Sequence, residues 1–309
     1  MYHTSVLLNE SIDCLQVTPG GIYVDATFGG GGHSRLILEK LNGTGHLFAF
    51  DQDLDAKKNA DTDFFKAQEN FTFVHSNFRM IKRQLRAEGI KPGIVNGILA
   101  DLGVSSHQLD SAERGFSYRF DAALDMRMNV QEGATAADVL NQYTAKELQR
   151  VLSELGEVRN AKTLSEAIVK TRDNQAFRTT KELLSLCEKM FMGDRMRYYS
   201  QVFQALRMEV NAELAALEEF LQGSLEMLAP EGRLAVITFH SLEDRMVKNF
   251  LKTGNVAGEM KKDFYGNIER PWELLTKKAI EPGEAELKSN NRARSSKLRV
   301  GRLAVDFDC

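Results

Sequence analysis

Apolar positions along the first hundred residues alternate between short continuous runs and helix-spaced stripes. Ile22 to Phe28 (IYVDATF) is a buried-strand pattern that ends in a glycine run, Gly29 to Gly32. A helix follows, with Leu36, Ile37, Leu38 and Leu41 on its apolar face. The pattern then predicts a strand over His46 to Phe50, a helix over Leu54 to Phe65 and a strand over Phe71 to Val74. Next come a helix from Phe78 to Ala87 and a strand over Val95 to Ala100 (VNGILA). Strands alternating with helices of this length predict βαβ units and a parallel sheet.

That rhythm stops at Leu102. As far as Tyr199 no strong strand pattern occurs, whereas helix starts are frequent. Thr144 with Glu147, and Thr179 with Glu182, fit the capping box ahead of apolar-periodic runs, and Val151, Leu152 and Leu155 share one face. A stretch this long is no simple loop. The expectation is an all-helical domain over 111–199, inserted into an α/β domain formed by 1–110 and 200–309. A polar-aromatic loop from Leu102 to Met128 leads into it. The α/β pattern resumes with a long helix over Gln201 to Leu228, broken by Pro230 and Gly232. A strand over Leu234 to Phe239 and a helix over Leu242 to Leu251 follow, with late strands over Leu274 to Ile280 and Leu298 to Val305.

Composition narrows the class. With 309 residues, 43% hydrophobic and 27% charged, the chain reads as a globular protein. No apolar run reaches the roughly 20 residues of a membrane span. MYHTSVLLNESID lacks the basic and apolar regions of a secretory signal. Cys14, Cys187 and Cys309 have no metal-ligand spacing, so neither a metal nor a disulfide framework is expected and the expected setting is cytoplasmic. A net charge of −3 argues against a general, whole-surface affinity for nucleic acid, leaving local basic patches. Asn290 to Leu303 is one candidate, with Arg292, Arg294, Lys297, Arg299 and Arg302 and no acid. It reads equally as a solvated edge strand.

The candidate chemistry sits where strands end. Asp25-Ala-Thr-Phe-Gly-Gly-Gly-Gly-His33 joins a strand to a helix, where glycines allow close backbone approach and a helix N-terminus offers free N–H groups. Asp51, about twenty residues on, suits a carboxylate accepting from ribose hydroxyls. The third glycine of a dinucleotide fingerprint is missing, since Ser34 or Arg35 stands there, and no G-K-[ST] follows. The loop therefore fits S-adenosylmethionine better than NAD or a nucleoside triphosphate. Asp101, in Ala100-Asp-Leu-Gly-Val-Ser-Ser106, ends the fourth strand; it is a site residue or a turn-forming cap. In Phe239-His-Ser-Leu-Glu-Asp-Arg245, Ser241 is a site residue or a helix N-cap. An NAD-dependent oxidoreductase and a non-catalytic RNA-binding scaffold compete with a methyltransferase.

As a set, VDATFGGGGHS, FDQD, DLGVSSHQLD, AERGFS, LDMRM, FQALRMEVNAEL, ITFHSLEDR and NRARSSKLR resemble the RsmH (MraW) family of 16S rRNA cytosine-N4 methyltransferases. The resemblance runs from His3 to Arg302 and departs at His107, where relatives carry proline. It implies a class I, Rossmann-like methyltransferase sheet with helices on both faces, and a helical insertion that recognises substrate. The implied partner is 16S rRNA within the small ribosomal subunit, without a membrane. The implied cofactor contacts are Gly31, Gly32, His33, Asp51, Phe78, Asp101 and Gln108. Phe78 would form an apolar wall beside the adenine, although a Phe in a helical pattern is commonly core. Asp101 is the expected catalytic residue, accepting the amine proton. The stacking aromatic usual after that acid is missing, so Phe116, Tyr118 and Phe120 either stack the base or pack their own loop.

Overall fold

A computed structural model describes residues 5–110, 113–260, 262 and 270–305. His3 and Ala112, within the resembling span, and residue 111, the expected start of the insertion, lie outside the described residues. The chain divides into two compact units, Met1–Gly103 with Ala215–Cys309, and Val104–Leu214.

The first unit is built on seven strands: β1 (Ile22–Asp25), β2 (His46–Asp51), β3 (Phe71–His75), β4 (Val95–Asp101), β5 (Leu228–Thr238), β6 (Trp272–Leu274) and β7 (Lys297–Leu303). Their order is β3-β2-β1-β4-β5-β7-β6. β1 to β5 run parallel, and β7 is antiparallel to both β5 and β6. This is the class I methyltransferase-like sheet that the resemblance implies. Parallel strands carry helices on both faces and are therefore apolar on both sides. Leu47 and Ala49 of β2, with Leu99 of β4, enter the core that includes Ile12, Ile37 and Leu41. Phe48 and Phe50, with Ile98 and Ala100, enter the opposite core beside Phe220, Leu221 and Phe250. The period of two along each strand explains why neighbours part this way. An N-terminal helix, Leu8–Leu15, absent from the sequence expectation, closes the first of these cores with Ile12 and Leu15.

Two expected helices are each divided. Leu54 to Phe65 forms two helices, Leu54–Ala60 and Asp63–Lys66, parted where Thr62 turns extended. The expected helix over Gln201 to Leu228 is two, Arg195–Val210 and Glu213–Met227. Ala212 takes a left-handed φ of 46°, and the Asn211 side chain donates to Met126 O and Arg207 O while accepting from Met128 N. Pro230 and Gly232 interrupt no helix, because β5 has already begun at Leu228.

In the second unit the described residues form helices and one isolated bridge, Ala123 to Thr179. Both expected capping boxes form, and Thr135 with Asp138 makes a third. Val151, Leu152 and Leu155 are buried together on a short wide-turn helix. None of the described helices is long and apolar enough to cross a membrane.

Candidate active site

The carboxyl ends of β1, β2 and β4 bring Asp25, Asp51 and Asp101 to one edge of the sheet, where open α/β sheets bind ligands. Asp25 is buried. It accepts from Thr27 N at 3.1 Å and Ser34 Oγ at 2.7 Å. Burial raises its carboxyl above the usual range, opposed chiefly by His33. The His33 ring is buried too, its Nε2–H donating to Val6 O at 3.2 Å, and burial favours its neutral form.

Asp51 accepts from Gly29 N at 2.9 Å and Asp53 N at 2.8 Å, one bond to each oxygen. Burial outweighs these donors and pushes its carboxyl up to about 6. Each oxygen keeps a lone pair for a further donor. Asp101 is held differently. Its backbone N–H donates to Thr27 Oγ1 at 2.6 Å, and its buried Oδ1 has no hydrogen-bond partner among the described residues. Burial, and after it the negative charges of Asp25, Glu243 and Glu286, raise this carboxyl well above the carboxylate range. Such a group accepts a proton readily and is short of a donor.

The glycine run serves the protein's own packing as well. A Cβ on Gly31, where φ is +77°, would lie 2.6 Å from the Phe65 ring and 2.9 Å from that of Phe28. One on Gly32 would lie 2.1 Å from Ser5 Oγ. Phe78 opens the short turn Phe78–Met80, capped by Asn77, whose side chain donates to Gln52 Oε1 at 2.9 Å. The half-buried Phe78 ring stands edge-on to Phe220 at 5.2 Å, so one side of it is core. Gln108 belongs to the second unit, buried, its Oε1 accepting from Ser105 N at 2.9 Å.

The MraW methylase family profile matches residues 1–303. The chain belongs to that family. Among its relatives, the ribosomal RNA small subunit methyltransferase H of Cytophaga hutchinsonii is 52% identical, covering 97% of this chain and 99% of the relative. The proteins of that name from Bacteroides thetaiotaomicron and Flavobacterium johnsoniae are each 51% identical over 97% of this chain, covering 96% and 97% of their own length.

In this MraW family member, the residues after β5 add an acid that sequence reasoning did not single out. Glu243 is buried, accepts from Phe239 N at 3.0 Å and lies 3.1 Å from His240 Nε2. The cap of helix Ser241–Thr253 is His240, whose Nδ1 accepts from Glu243 N, so Ser241 is not the N-cap. Asp25 and Thr27 were also passed over as site residues. Asp25 was legible by the strand-end rule that selects Asp51 and Asp101; Thr27 and Glu243 carried no such signal.

Two further expectations are resolved by packing. Phe116 is buried beside the Arg114 guanidinium, and Tyr118 packs edge-on against Tyr199 and Phe203, whereas Phe120 is exposed. The Arg-rich tail is no edge strand, for β7 lies between β5 and β6. Arg299 makes a two-pronged pair with Asp244 at 2.6 and 3.0 Å, and Arg302 pairs with Glu273 and Glu231.

Proposed function

We propose that this chain transfers a methyl group from S-adenosylmethionine to N4 of a cytosine in the decoding region of 16S rRNA, in the cytoplasm. Family membership supports the reaction class, and the observation that carries the chemistry is the buried Oδ1 of Asp101 at the end of β4, which has no hydrogen-bond partner among the described residues. The residues fit the cofactor. Desolvated carboxyls at one edge, Asp25 buried and Asp51 and Asp101 partly so, suit a ligand that brings both hydroxyl donors and positive charge, and half-buried Phe78 offers apolar surface.

When bound, the cofactor supplies an electrophilic methyl group. Asp51 accepts from the ribose hydroxyls. Gly31, Gly32 and His33 would line the methionine end, and Phe78 would flank the adenine. The N4 lone pair of cytosine is delocalised into the ring, which makes the amine a poor nucleophile. Asp101 accepts a hydrogen bond from N4, favours a pyramidal nitrogen and takes up the surplus proton; its raised affinity for protons suits that task. Holding donor and amine at attack distance supplies most of the rate gain. No step in this scheme calls for a metal ion. The helical unit recognises the RNA, with exposed Phe120 available to stack an unpaired base.

Nucleoside mass spectrometry of 16S rRNA, from cells with and without the protein, tests the reading. N4-methylated cytosine should vanish without the protein and return with it. An unchanged nucleoside profile would refute the assignment.

A further inference from the structure

Arg299 and Arg302 of the tail are engaged by carboxylates, which takes two of its cations out of reach of RNA and directs attention to other basic surfaces of the first unit. Arg79, Lys82, Arg83 and Arg86 recur at spacings of three and four along the turn and helix Phe78–Ala87, which puts them on neighbouring positions of one side. They line a groove of about 460 Å³ whose far wall is formed by Glu219, Gln222, Gly223 and Glu226. Two of the cations anchor the rim: Arg79 pairs with Glu219, with Nε to Oε2 at 2.9 Å, and Lys82 pairs with Glu226. Gly223 sets how closely the walls approach, since a Cβ there would come within 2.8 Å of Ile81 Cγ2. Arg83 and Arg86 are exposed and, among the described residues, have no ion-pair partner.

We propose that this groove holds backbone phosphates of the RNA substrate, with Arg83 and Arg86 as the contacting cations. The proposal rests on the reading of the chain as an rRNA methyltransferase. Charge complementarity carries it. The chain as a whole is at −3 and repels a polyanion, whereas this side gathers four cations around two acids and leaves two cations uncommitted. Cations strung along a helix match a row of charges better than a single anion. The row also starts beside Phe78, so RNA held along it leads away from the cofactor edge of the same unit.

The test uses the full chain carrying Arg83→Ala and Arg86→Ala, a 16S rRNA transcript and a salt series. The plot of log affinity against log salt should become shallower by about 1.4–1.8, two phosphate contacts' worth, while calorimetric S-adenosylmethionine affinity stays unchanged. Lys277→Ala with Lys278→Ala removes the same charge from exposed positions and should move the slope by less than half as much. An unchanged slope in the arginine variant, or an equal change in the lysine control, overturns the groove as the contact. Wild-type protein that methylates no small-subunit RNA would instead overturn the functional reading. Methylation by wild type with no difference in the arginine variant would overturn the groove alone.

Discussion

Asp51 and Asp101 stand at equivalent places on two strands of one sheet. Both are partly buried and both have raised proton affinity, with desolvation the leading cause. Their partners set them apart. The two oxygens of Asp51 are each tied to a backbone N–H, which fixes the carboxyl as a rigid acceptor. Asp101 is tied through its main chain to Thr27, while a carboxyl oxygen has no donor among the described residues and lies in an acidic neighbourhood. Burial alone therefore does not assign a role. The hydrogen-bond supply separates a group built to hold a ligand from one built to gain a proton.

Substitution should widen this contrast most at Asp101. Asp101→Asn keeps the shape but cannot take up a proton. Single-turnover methylation at saturating cofactor should fall roughly 10²–10⁴-fold, more than any loss of binding explains. A near-normal saturated rate would reduce Asp101 to a cofactor ligand and erase the distinction.

At Asp51 the effect should appear in binding. Asp51→Ala should weaken S-adenosylmethionine affinity by about 1.5–3 kcal/mol in a calorimetric titration, the scale of hydrogen bonds to a charged group. Unchanged affinity would remove Asp51 from the site. Between these two carboxyls lies the loop that positions them. Gly31→Ala must find room against Phe28 and Phe65 at a positive φ, and should cost about 1–3 kcal/mol in thermal or denaturant unfolding. A neutral result would mean that the two rings yield.

The smallest effect expected is on pH dependence. Above about 6 the Asp51 carboxyl is ionised and accepts in full; as pH falls through that value it gains a proton and loses its charge. Cofactor affinity should then decline by at most about tenfold per pH unit, and Asp51→Asn should flatten the curve near that pH. A wild-type curve that is flat between pH 5 and about 7 would place the titration elsewhere.

The strands of the first hundred residues were legible because parallel strands buried on both faces read as continuous apolar runs. The resulting expectations differ from β1 to β4 by only a few terminal residues. The helical insertion was legible through Thr144 with Glu147 and Thr179 with Glu182, since a capping box lies within four consecutive residues. Thr135 with Asp138 does the same work with a shorter acid and escaped the pattern. The break at Asn211 and Ala212 was illegible for another reason. The bonds that stabilise it reach Met126 and Met128, more than eighty residues away in the sequence.

Sequence alone thus determined the alternation of strand and helix, the strand-end acids and the family resemblance, because each rests on local spacing or on ordered motifs. Tertiary structure decided which charges remain available. Arg299 and Arg302 look like a basic patch until β7 is placed between β5 and β6 and their carboxylate partners come into reach. Arg83 and Arg86 look ordinary until the opposite wall of their groove takes up Arg79 and Lys82 instead. Asp101, likewise, looks like any strand-end acid until the fold buries an oxygen and, among the described residues, brings it no donor. Pairing and desolvation depend on residues far apart in the chain, so only the folded molecule could decide them.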